Sequence, residues 1–101
     1  MQPAIAYPRR ATARDFAFFT NPKIWQQYPF LPLIRRGSET DAAQLGILYD
    51  ARGVSGTYGY SSTVFLVNLF LLPPSEAKLL NGPRLVYDSF QELADAGWVV
   101  D

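Results

Sequence analysis

The chain has 101 residues, about half of them apolar, with two Trp, six Tyr and seven Phe, no cysteine and no histidine. That length suits one domain with its own core, and the missing side chains exclude disulfides, thiolate nucleophiles, Ser-His-Asp triads, Cys/His metal centres and a histidine switch. The zero net charge argues against a dedicated nucleic-acid binder but hides a split, since residues 1–36 sum to +5 and residues 37–101 to −5.

Residues 1–11 read as an N-terminal arm, because Pro3, Pro8 and the Arg9–Arg10 pair resist regular structure, with Ile5 and Tyr7 as anchors. Residues 12–101 read as a single globular domain. The opening MQPAIAYPRR lacks the apolar stretch of a secretory leader. The longest greasy run, Val64–Leu72, is nine residues and contains Asn68, well short of the about 20 that a membrane helix needs. A cytoplasmic protein is the expectation.

Thr12 is placed to cap a helix running through Phe19, with Asp15 at the capping-box spacing and Phe16 and Phe19 on one face. Asn21 and Pro22 start a second short helix with Ile24, Trp25 and Tyr28 on its apolar side, and Pro29 stops it. Phe30–Arg36 is extended, and Pro32 predicts a sheet edge or an irregular start. Gly37–Ala42 is a polar loop. Gln44–Asp50 reads as a strand with Leu45, Ile47 and Tyr49 on one side.

Arg52–Ser62 contains Gly53, Gly56 and Gly59 and reads as a long mobile hairpin loop. Thr63–Leu72 is expected as a strand buried on both faces, the central one of the sheet. Pro73–Pro74 ends it. Ser75 caps a short helix with Glu76 in its first turn, and Asn81–Gly82 stops that helix. Arg84–Asp88 is a fourth strand. Ser89-x-x-Glu92 is a capping box for a helix with an apolar face of Phe90, Leu93 and Ala94, closed by Gly97 before a last strand, Trp98–Val100. The elements add up to a single small α+β domain, a three- to five-stranded mainly antiparallel sheet with short helices packed on one face.

The glycine loop does not make a phosphate cradle, which expects a strand-to-helix junction and Gly-Lys-Ser/Thr. Asp50 and Asp88 each end a predicted strand, but carboxylates there are ordinary turn formers and caps. No metal or cofactor is implied, and a non-enzymatic role is the leading expectation. Asn68, the one polar residue in the greasy run, is expected to bond a nearby loop or helix end if buried.

The aromatic surplus carries more weight. Trp25, Tyr28, Phe30, Tyr58, Tyr60 and Trp98, with Arg35, Arg36 and Arg52, are the residue types that dominate protein interfaces. They are the candidate partner-binding set, either for a protein partner or for self-association into an oligomer. Phe30–Arg36 and Trp98–Val100 are candidate edges for another chain. The alternative is a nucleic-acid or anion binder using Arg9, Arg10, Arg14, Lys23, Arg35 and Arg36 with the 52–62 loop. A carboxylate-based enzyme is a third reading.

Overall fold

Local capping chemistry sets where the helices begin. The structure, a computed structural model, describes residues 10–36 and 43–101. Most of the arm, and the polar loop with Glu39 and Asp41, lie outside the described residues. Helix α1 spans Ala13–Thr20, and the Thr12 side chain accepts from the Asp15 N–H while Asp15 accepts from the Thr12 N–H. This is the expected capping box. A single 3-10 turn, Pro22–Ile24, follows with Pro at its start, although Asn21 makes no side-chain cap.

The strands are β1 (Phe30–Arg36), β2 (Ala43–Tyr49), β3 (Thr63–Phe65), β4 (Arg84–Val86) and β5 (Val99–Val100). They form one antiparallel sheet in the order β4-β3-β2-β1-β5. The protein is therefore the expected α+β domain, with β2 as its middle strand. No helix among the described residues is long and apolar enough to cross a membrane.

Two expectations about the strands are corrected. Phe30–Arg36 is not an edge, because β1 lies between β2 and β5. Pro32 is tolerated because its carbonyl accepts from the Asp101 N–H. Its backbone polar side thus faces the end of the short β5 ladder, where the missing donor interrupts no bond to β2. The second correction concerns Thr63–Leu72, which is neither a ten-residue strand nor central. Only Thr63–Phe65 pairs, and a 3-10 turn, Leu69–Leu71, follows. The Asn68 carboxamide accepts from the Phe70 N–H at 2.9 Å, so this one polar residue caps the turn that follows the strand. Phe70 and Leu71 are left 90% and 76% exposed.

Alternation along the strands builds two apolar clusters. Leu31, Leu33, Leu48 and Val64 meet Phe19 of α1, Trp25, Trp98 and Leu93 of helix α4, which spans Phe90–Asp95. Helices α1 and α4 therefore share one face, with Phe19 stacked on Phe90 at 5.9 Å. On the opposite face Ile47, Tyr49 and Phe65 meet Leu79 and Leu80 of helix α3 (Glu76–Leu80), which is capped by Ser75 as expected. The helices therefore cover both faces of the sheet and not the one face expected. Gly46 is demanded by close approach: a Cβ there would lie 2.5 Å from Val64 Cγ1 and 3.2 Å from Trp98 Cη2.

Asp15 does more than cap. It is buried, and its second oxygen accepts from the Val100 N–H at 3.2 Å, tying the start of α1 to β5. At the other cap, the Ser89 hydroxyl accepts from the Glu92 N–H. Glu92 reaches back one residue further than a capping box requires, to the Asp88 N–H at 2.7 Å.

Candidate aromatic cleft

The Arg52–Ser62 stretch is not simply a mobile loop. Ala51–Ser55 forms helix α2 directly after β2, with the Asp50 carboxylate accepting from the Gly53 N–H at 3.1 Å. Gly56, at φ 72°, ends it in the left-handed conformation that favours glycine, and its N–H donates to the Arg52 carbonyl at 3.0 Å. The chain then folds back through Tyr58 and Tyr60 toward β3.

This return creates a half-open cleft of about 1000 Å³. One wall is the end of α1 and the turn after it, with Phe19, Lys23, Trp25 and Tyr28. Its floor is the end of β2 and the start of α2, where Tyr49, Asp50 and Arg52 lie. Tyr58 and Tyr60 close the far side, and Phe90 reaches in from α4. The cleft thus gathers five of the nine candidate partner-binding residues: Trp25, Tyr28, Arg52, Tyr58 and Tyr60.

Those five differ in what they offer a ligand. Tyr58 is 71% exposed, with the Arg52 guanidinium 5.0 Å over its ring. Tyr28 is half exposed and donates from its hydroxyl to Asp50 Oδ2 at 2.8 Å. That bond to Asp50 raises the Tyr28 pKa above its ordinary value. Tyr60 is half-buried and stacks on Phe65. Trp25 is buried, its indole N–H donating to the Phe18 carbonyl at 2.7 Å, so it is chiefly a core residue that shows one face to the cleft.

The remaining candidates lie elsewhere. Trp98 is fully buried, bonded through its indole N–H to the Tyr87 hydroxyl and covered by the Arg35 guanidinium at 4.8 Å. It fills core and offers no contact surface. Arg35 is engaged by that ring, by Gln44 Oε1 and by the Ala96 carbonyl. Phe30 stacks on Tyr49 at 5.3 Å. Arg36 ends β1.

Charge in the cleft is unevenly engaged. Asp50 is held by Tyr28 and Gly53, whereas the Lys23 and Arg52 side chains donate no hydrogen bond among the described residues, leaving two cations to meet a ligand. Among the described residues Asp50 is the one carboxylate in the lining, and Asp88 is not part of it. No group of three or more His, Cys, Asp or Glu that could hold a metal occurs among the described residues. Sequence reasoning missed Phe19 and Phe90 as wall residues and gave Asp50 no role here. The Asp50-x-x-Gly53 spacing and Gly56 were the helix signal that would have brought these positions together.

Beneath the cleft, the Tyr49 hydroxyl donates to Glu76 Oε2. Burial first, and then this bond, hold the Tyr49 proton well above the ordinary tyrosine value near 10. The folded form therefore keeps a proton that the unfolded chain releases, so stability is unaffected below pH 10 and falls as pH rises above it. Urea midpoints measured from neutral pH into this range should decline more steeply in the wild type than in Tyr49→Phe, and equal slopes would count against a raised Tyr49 pKa. Comparison with protein-family models, curated proteins and solved structures finds no match to this chain.

Proposed function

We propose that the protein is a non-enzymatic interaction domain whose aromatic cleft holds a segment of a partner protein. The observation behind this reading is the convergence of Tyr28, Arg52, Tyr58 and Tyr60 from separated parts of the chain on one concave surface. Exposed tyrosines bring large, rigid contact area at low entropic cost, and a concave apolar site with a few polar groups is the usual form of a binding site. Lys23 and Arg52 favour a segment that carries an acidic group beside its apolar side chains.

Selection of a random peptide display library on the immobilised protein tests this. Enriched peptides are expected to carry apolar and acidic residues together and to bind Tyr58→Ala at least about tenfold more weakly, the loss typical of an interface hot spot. If no peptide distinguishes Tyr58→Ala from the wild type, the cleft is not the binding surface.

The stacked Arg52–Tyr58 pair also favours a second reading, a platform for unpaired bases with Lys23 near the phosphates. Anisotropy of a labelled oligothymidylate separates the two, because phosphate binding falls steeply with salt.

A further inference from the structure

The sheet has an edge at β4, and its hydrogen-bonding pattern can be read from the bonds beside it. The Tyr87 N–H donates to the Ser62 carbonyl, and the Leu66 N–H donates to the Pro83 carbonyl. In an antiparallel ladder bonded and non-bonded pairs alternate, so residues 83, 85 and 87 face β3. The N–H and C=O groups of Arg84 and Val86 then point away from the sheet. Their side chains share the face opposite Leu85 and Tyr87, which pack into the α1–α4 cluster. Val86 is 67% exposed, and Arg84 and Asp88 are exposed on either side of it.

An edge with charges normally repels another strand. Here the signs are arranged otherwise. In the stretch Arg84-Leu85-Val86-Tyr87-Asp88, antiparallel pairing with a second copy about Val86 sets Arg84 directly opposite the partner's Asp88, and does so twice by symmetry. The two Val86 residues meet at the centre, each donating its N–H to the other's carbonyl. Each Arg84 N–H meets the partner's Asp88 carbonyl. The Asp88 N–H stays with Glu92 and is not needed.

We infer that the protein forms a two-fold dimer by joining its β4 edges in this register, making one continuous sheet from two copies. None of residues 84–88 lines the aromatic cleft, so the dimer leaves that site open and does not depend on it.

Light scattering on the full chain tests the inference. The wild type is expected to pass from 11.3 kDa to twice that mass with rising concentration, and less readily at about 500 mM than at about 50 mM salt. Arg84→Asp and Asp88→Arg each turn two attractions into two repulsions and weaken the dimer about tenfold or more. Mixing those two variants restores it, because every cross-strand pair in the mixed dimer again joins opposite charges. Tyr58→Ala dimerises as the wild type does. Circular dichroism of each variant reports whether it remains folded. A wild type that stays at one chain's mass up to millimolar concentration overturns the inference. So does a mixture of folded Arg84→Asp and Asp88→Arg that does not associate.

Discussion

Replacing Trp98 by alanine lowers the unfolding free energy by about 4 kcal/mol. The indole is fully buried at the centre of the larger cluster, and its loss cannot be made good by collapse. Gly46 already gives up its side chain so that the ring and Val64 can lie against the β2 backbone. On the other side Arg35 is pinned to Gln44 and Ala96 while it covers the ring, so it is not free to move into the void. The Tyr87 hydroxyl loses its indole donor as well. A domain of this size has a total stability of roughly 5–15 kcal/mol, so the variant is left marginal. Urea denaturation reads the loss as a lower midpoint at similar slope. A change below about 1.5 kcal/mol would mean that Trp98 is not packed in this way.

Asp15→Ala is expected to cost about 3 kcal/mol, well beyond the about 1 kcal/mol of an ordinary lost cap. The difference lies in where its bonds go. One oxygen serves the Thr12 N–H and hydroxyl at 2.8 and 3.1 Å, and the other serves the Val100 N–H across the sequence. Removal takes an acceptor away from these donors in a part-buried setting, where a lost partner costs more than at the surface. Thr12→Ala provides the comparison: it removes the reciprocal cap but keeps the bond to Val100. The two changes share partners, so the double variant should lose less than the sum. Equal losses for Asp15→Ala and Thr12→Ala would show that the Val100 bond adds nothing.

What the sequence disclosed was mainly what is decided within four residues. Thr12 with Asp15 forms its capping box and Ser75 and Ser89 cap their helices as their spacing suggests, because a cap is satisfied by its own helix, whereas Glu92 passes over the Ser89 N–H to that of Asp88. Pro32 misled because the rule about proline concerns the direction of the missing N–H, which depends on which neighbour lies on that side. The Thr63–Leu72 run misled because apolar character alone does not distinguish a strand from a turn that exposes Phe70 and Leu71. The aromatic set was half legible. Residue type pointed to Tyr28, Arg52, Tyr58 and Tyr60, but nothing local separates them from Trp98, which differs only in where tertiary packing puts it.

The order β4-β3-β2-β1-β5 also bears on when the domain can form. Leu33 and Ile34 wait for Val100 and Val99, which arrive at the far end of the chain, and Asp15 waits for Val100. During synthesis β1 therefore lacks its β5 partner, and the larger cluster lacks Trp98, until β4 and α4 have been made. Closing so wide a gap delays these pairings without greatly weakening them. The hairpin of β1 and β2 can assemble early, but the larger cluster closes only once β5 has followed α4.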